Sequence, residues 1–116
     1  MSRPTLKEVK EAIQFTVECE PEPLPIDGNC MASGDDDYDR EVGNKIRSEL
    51  ENGNEWAWCC IKVTAEYRGI TGSDYLGGCS YASEEDFTSS CGYYEDMKTE
   101  ATDRLLDTLR DVQFIE

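Results

Sequence analysis

The chain has 116 residues and a mass of 13.1 kDa, so we expect a single acidic domain over residues 1–116. Acidic residues number 26 and basic residues 11, which gives a formal charge of −15, and histidine is absent. The absence of histidine excludes histidine-based catalytic triads, Cys–His nucleophiles and histidine metal ligands. The acidity argues against direct binding of nucleic acid, whose phosphates are bound by clustered Lys and Arg.

The acidity belongs to a folded chain rather than to a disordered tail. Aromatic residues make up 9% of the sequence, whereas disordered acidic chains are usually poor in them. No secretion signal and no membrane-spanning run is visible, so we expect a cytoplasmic protein with reduced thiols. We interpret the cysteines mostly as small buried hydrophobes, with a disulfide framework as the alternative. The six are Cys19, Cys30, Cys59, Cys60, Cys79 and Cys91.

The first predicted elements are the start of a short helix and then a strand. Leu6, Val9 and Ile13 have helical spacing. From Ile13 to Glu20 apolar and polar residues alternate, which predicts a half-buried strand. Prolines at positions 21, 23 and 25 end this strand, because proline cannot donate to a sheet ladder. Residues 21–36 form a long connection.

A helix is predicted over residues 37–52. Ser33, Asp35 and Asp36 would cap it and place negative charge at its positive end, and Gly53 suits its C-terminal stop. Asp35 and Asp36 are also candidate partner-binding residues. The predicted apolar stripe consists of Tyr38, Val42, Ile46 and Leu50.

Alternation predicts the clearest strand over residues 55–67. Trp56 and Trp58 would lie on its outer face with Lys62, where they would be candidate anchors for a protein partner. The alternative is that the N-terminal strand or the 21–36 loop folds over them. A second strand over residues 73–81 would complete a hairpin, in which Gly77-Gly78 indicates a bulge or a partner close to the backbone. The predicted core face carries Ala57, Cys59, Ile61, Val63, Ala65 and Tyr67.

A loop at residues 82–92 leads to a last predicted helix over residues 93–112, and the tail at 113–116 is expected to dock on the core. The element order is β-α-β-β-α. This order predicts a two-layer α+β domain, with a small antiparallel or mixed sheet of about three strands and both helices on one face. The apolar face of the last helix carries Tyr94, Met97, Ala101, Leu105, Leu109 and Val112.

Metal and catalytic motifs fail when they are tested residue by residue. The aspartates of the 35–39 run match a calcium loop at its first, third and fifth positions, but Arg40 and Ile46 stand where Gly and Glu are needed. Cys59 and Cys60 are adjacent on a strand and point to opposite faces, so they cannot chelate zinc together. We therefore expect no catalytic residues, no metal site and no cofactor.

The most specific signal is a row of five carboxylates on the last helix, at spacings of four, three, four and four residues. They are Asp96, Glu100, Asp103, Asp107 and Asp111. This spacing puts them on one stripe opposite the apolar face, with neighbours about 5–6 Å apart. That distance is broadly similar to the spacing of phosphates along one DNA strand, because the axial rise is about 3.4 Å per nucleotide and the backbone also winds around the axis. The stripe therefore predicts a surface that imitates a phosphate track, and the alternative is the ordinary solvated face of an amphipathic helix.

Three stretches, WAWCCIKVTA at 56–65, SDYLGGCSY at 73–81 and GYYEDM at 92–97, resemble a group of short proteins encoded by bacteriophages and plasmids. The resemblance covers residues 54–110. It implies a mobile-element origin, and it supplies no catalytic or binding residues.

Two functions of different class follow from these features. The first is a small non-enzymatic accessory protein that acts in a host cytoplasm. It would bind the basic surface of a host nucleic-acid-binding protein, such as a restriction or CRISPR component, with the stripe steering association and the two tryptophans anchoring it. The alternative is a structural module, for example a homodimer formed through the Trp-bearing sheet face, whose charge serves solubility. An enzyme that uses carboxylates or a thiolate is a third, weaker hypothesis.

Overall fold

The computed structural model describes residues 3–90 and 92–112, and within them it contains four α-helices and three strands. The elements are α1 (Leu6–Ala12), β1 (Gln14–Pro21), α2 (Asp36–Glu51), a 3₁₀ turn (Glu55–Ala57), β2 (Cys59–Tyr67), β3 (Ile70–Cys79), α3 (Glu84–Ser90) and α4 (Gly92–Asp111). The strands form one antiparallel sheet in the order β1–β2–β3, so β2 is central. The predicted α+β class and the number of strands are confirmed.

The predicted order β-α-β-β-α omits two short helices, α1, which the helical spacing of Leu6 and Val9 had indicated, and α3. Helix α1 begins at a capping box in which Thr5 and Glu8 satisfy each other's backbone N–H groups. Helix α3 lies in the segment that was predicted as a loop. Its first turn is stabilised by Ser83, whose hydroxyl accepts the backbone N–H of Asp86 at 3.1 Å, and the fully buried Phe87 anchors it.

Helix α2 follows its prediction closely, whereas strand β2 keeps its predicted core face but begins at Cys59, four residues after its predicted start. The Asp35 carboxylate caps α2 by accepting the backbone N–H groups of Asp37 and Tyr38 at 3.1 and 3.2 Å. Gly53, with a φ of +96°, follows the helix in the left-handed region that suits its end. Tyr38, however, is exposed rather than part of the core. The five predicted core residues that belong to β2 itself are all buried: Cys59, Ile61, Val63, Ala65 and Tyr67.

The hairpin between β2 and β3 turns through only two residues. Arg68 and Gly69 have φ values of +50° and +83°, and a tight antiparallel turn of this kind requires positive φ at both positions. Strand β3 therefore begins at Ile70, three residues before its predicted start.

The chain divides into two compact units. The first contains α1, the start of β1, the segment Lys62–Tyr75 and α4. Helix α4 lies directly on the backbone of Gly72, and its apolar face is buried as predicted as far as Leu109, whereas Val112 is exposed. The buried apolar residues of this unit are Val9, Val63, Ala65, Tyr67, Met97, Ala101, Leu105, Leu106 and Leu109.

The second unit contains α2, the 3₁₀ turn, the start of β2, the end of β3 and α3. The Gly77-Gly78 pair of β3 lies against the side chain of Glu22. The backbone N–H of Gly78 donates to Glu22 Oε2 at 3.0 Å, and a Cβ on Gly77 would crowd the same carboxylate. The close partner that this pair indicated is thus a side chain of the protein itself. One part of the core consists of Ile46, Ala57 and Trp58, covered by Ile26, Cys30, Val42 and Leu50. The tail at 113–116 and Cys91 lie outside the described residues.

Gly72→Ala is expected to lower the free energy of unfolding by about 2 kcal/mol or more, because overpacking against a fixed backbone cannot relax by a side-chain rotation. A Cβ at this position would meet the backbone nitrogen of Leu105 and would lie 2.5 Å from the carbonyl oxygen of Ala101. Urea unfolding measures the loss. Gly92→Ala is the matched control, since an added Cβ there would meet no atom of the described residues beyond its immediate neighbours within 4 Å, and it should change the stability by less than about 1 kcal/mol. Equal effects of the two substitutions would contradict the close helix–strand contact.

Candidate functional site

The five carboxylates of the predicted stripe lie on one face of α4 and are all exposed to solvent. This outcome follows from packing, because α4 buries the opposite face through residues that include Ala101 and Leu105. Within the described residues, no Lys or Arg forms an ion pair with Asp96, Asp103 or Asp111. The α4 stripe, defined as Asp96, Glu100, Asp103, Asp107 and Asp111, thus presents largely uncompensated negative charge.

The two arginines beside the α4 stripe neutralise it only in part. Arg110 lies 3.5 Å from Asp107, an exposed pair of the kind that contributes little to stability. Arg104 reaches Glu100 at 3.5 Å, but it also pairs with Asp74 at 3.2 Å. The charge of Arg104 is therefore shared with strand β3. Asp74 was not singled out in the sequence, because a contact 30 positions away leaves no local spacing signal.

Asp35 and Asp36, the other predicted acidic residues, lie at the start of α2 in the second unit. The Asp35 carboxylate is engaged in capping α2. Asp36 lies in the first turn, where the helix dipole stabilises negative charge, and its side chain is exposed. Capping accounts for Asp35 without a partner, so it is the weaker of the two binding candidates.

The prediction that two tryptophans lie on an exposed sheet face is wrong. Residues 55–57 form a 3₁₀ turn, so Trp56 and Trp58 both precede β2. Trp58 is only 5% exposed, and its indole Nε1–H donates to the carbonyl oxygen of Leu24 at 2.8 Å. Trp56 is half-buried and stacks on Phe87 with ring centroids 6.3 Å apart. For Trp58 the alternative is confirmed, because the 21–36 loop folds over its side chain. Trp58 therefore presents no exposed ring that could anchor a partner.

The cysteines outside Cys91 are free thiols, and the most buried of them are Cys59 and Cys79. Burial raises the pKa of Cys59 to about 12, with further contributions from neighbouring thiols and from Glu22. Burial and then the Glu55 carboxylate raise the pKa of Cys19, and burial also raises that of Cys60. These three side chains are held as neutral thiols near pH 7, which is unfavourable for nucleophilic chemistry.

Residues 3–90 and 92–112 lack two features that define other classes of site. No group of three or more His, Cys, Asp or Glu side chains is arranged to hold a metal ion there. No helix in the same part of the chain is long and apolar enough to cross a membrane.

Comparison of the chain with family models, with curated proteins and with solved structures gave no match.

The stability of the protein should fall between about pH 9 and pH 12, and Cys59 should account for part of the slope. The thiol ionises near pH 9.0 in the unfolded chain and near pH 12 in the folded one, so unfolding releases a proton in this window. Each pH unit then removes at most about 1.4 kcal/mol from the free energy of unfolding. Urea unfolding at pH 8 and pH 10 should show a smaller difference for Cys59→Ala than for the wild type. An unchanged difference would contradict the assignment.

Proposed function

We propose that this protein is a non-enzymatic acidic binding protein that occupies the basic, nucleic-acid-binding surface of another protein. The observation that carries the proposal is the α4 stripe, a single exposed row of carboxylates on a rigid helix. A row of this kind offers a partner the charge pattern of a phosphate backbone without the bases or sugars of DNA.

The dimensions of the α4 stripe suit this role. From Asp96 to Asp111 the helix rises about 22 Å, at about 1.5 Å per residue. Three of the five carboxylates have no ion pair among the described residues, so their charge is available to a partner. With a net charge of −15 on the whole chain, long-range attraction would also accelerate association with a basic surface.

The cost of the α4 stripe to the folded protein supports a binding role. Like charges three or four residues apart on a helix destabilise it by about 0.2–0.5 kcal/mol per pair. Solubility alone requires a net charge of only about 2–8 in magnitude for a small domain, well below that of this chain. We propose a host defence component, such as a restriction or CRISPR protein, as the partner on the resemblance to phage- and plasmid-encoded proteins alone.

The burial of Trp58 weakens the alternative function, a homo-oligomeric module joined through a Trp-bearing sheet face. That face does not exist as predicted, because Trp58 is covered by residues of the 21–36 segment. A role in which the charge serves only solubility stays open to the experiment below.

Charge reversal on the α4 stripe is the direct test. The immobilised protein is incubated with a bacterial lysate, and the retained proteins are identified by mass spectrometry before and after elution with duplex DNA. We expect nucleic-acid-binding proteins to be retained and then released by DNA and by rising salt. Asp103→Lys/Asp107→Lys should reduce their retention about tenfold or more, because it reverses two adjacent charges of the row.

The control is Glu11→Lys/Glu41→Lys, which changes the net charge by the same amount at exposed positions of α1 and α2. This variant should retain most of the binding. Equal loss in both variants would show a non-specific charge effect, and no release by duplex DNA would contradict phosphate imitation. A monodisperse monomer that retains no nucleic-acid-binding protein would favour the solubility role.

A further inference from the structure

The second unit contains a cavity of about 270 Å³ whose wall is mostly apolar and whose rim is acidic. Trp58, Leu50 and Pro21 form the apolar part of the lining. The indole of Trp58 cannot rotate freely, because its Nε1–H donates a hydrogen bond to the carbonyl oxygen of Leu24. The aromatic part of the wall is therefore preformed, as is usual for sites that bind a small group.

Three carboxylates line the same cavity, those of Glu20, Glu22 and Glu55. Glu22 is held in place by two backbone donors, the N–H of Gly78 at 3.0 Å and the N–H of Leu24 at 3.2 Å. Within the described residues, the only side-chain donor to Glu55 is the thiol of Cys19, at 3.9 Å. The carboxylates of Glu22 and Glu55 are thus positioned by neutral groups, which leave their charges in place.

No Lys or Arg among residues 3–90 and 92–112 forms an ion pair with any of these three glutamates. Some acidic residues elsewhere in the described chain have a basic partner, among them Asp27, Asp74 and Glu95, whereas others, such as Asp96 and Asp103 of the α4 stripe, have none. The field of these carboxylates acts on their surroundings, since Glu55 contributes to the raised pKa of Cys19. Three unneutralised charges around an apolar cavity favour an occupant that is cationic at its tip and apolar along its stem.

We propose that this cavity, the Glu20–Glu22–Glu55 pocket, binds an arginine side chain of the protein partner. The three methylene groups of arginine would lie along Pro21, Leu50 and Trp58, and the planar guanidinium would donate to the glutamates. A neutral side chain of the same shape would leave the three charges uncompensated. That the arginine belongs to a basic protein partner rests on the proposed function. That the pocket binds an arginine side chain does not.

The test uses a small probe, N-acetyl-arginine amide, titrated into the ¹⁵N-labelled protein and followed by NMR. The indole N–H signal of Trp58 is assigned by its persistence in Trp56→Phe. We expect this signal to shift and to saturate in the millimolar range, since a single side chain offers few contacts. N-acetyl-citrulline amide, which has nearly the same shape and no charge, should bind at least about tenfold more weakly, because charge-assisted hydrogen bonds are the stronger ones.

Glu20→Gln and Glu55→Gln should each weaken binding of the arginine probe about two- to tenfold, because each removes one charge and keeps the side-chain shape. The matched control is Glu11→Gln, which removes one charge on α1 and should leave the affinity unchanged. The NMR spectrum of each variant reports whether it is folded, and either pocket variant alone is sufficient for the test.

Equal binding of the two probes, no saturable shift of the Trp58 signal, or no effect of the pocket substitutions would overturn the proposal. These outcomes are independent of the lysate experiment. If the arginine probe binds and no nucleic-acid-binding protein is retained, the pocket stands and the proposed function fails. If such proteins are retained through the α4 stripe and the probe does not bind, only the pocket fails.

Discussion

The close approach of helix α4 to Gly72 is the contact on which the surface of the first unit depends. The backbone of α4 at Ala101 and Leu105 lies where any side chain at position 72 would be. A helix that rests on a strand with so little clearance has one rotation about its axis that buries its apolar face. That rotation directs the carboxylates of the α4 stripe to solvent. The packing of a glycine therefore determines which charges a partner can meet.

In the second unit, the corresponding constraint is the attachment of the proline-rich segment after β1. Its anchors are polar: the Leu24 carbonyl accepts the Trp58 indole, and the Glu22 carboxylate accepts the N–H of Gly78. Buried or half-buried polar groups need such partners, and each of these bonds satisfies one. The same two anchors orient one aromatic wall and one carboxylate of the Glu20–Glu22–Glu55 pocket. The same two hydrogen bonds thus attach the proline-rich segment and position two groups of the pocket.

Most helices and strands could be predicted from local sequence signals. The errors occur where contacts between residues distant in sequence determine the conformation. Helix α2 has a cap at Asp35 and a stop at Gly53, both readable in sequence, and the alternation of β2 identifies its core face. Helix α3 was also readable, since Ser83 and Asp86 match a capping box, but its single large apolar residue, Phe87, gives no periodicity. Trp58 was misplaced because alternation cannot reveal a 3₁₀ turn or a hydrogen bond to Leu24. The α4 stripe was predictable because helical spacing alone defines it, whereas the pocket combines residues from three separate segments.

Among the described residues, some carboxylates have a basic partner and others do not. Asp74 pairs with Arg104 and Asp27 pairs with Arg47, so these two carboxylates have a basic partner in the described structure. The α4 stripe and the Glu20–Glu22–Glu55 pocket largely lack such partners, although the chain has 11 basic residues to place. Leaving these charges uncompensated opposes folding through repulsion, and salt weakens that repulsion and any attraction to a basic partner by the same screening. As the salt concentration rises, the free energy of unfolding should therefore increase while the affinity for a basic partner decreases. Charge that serves no binding role would not produce these two opposite trends.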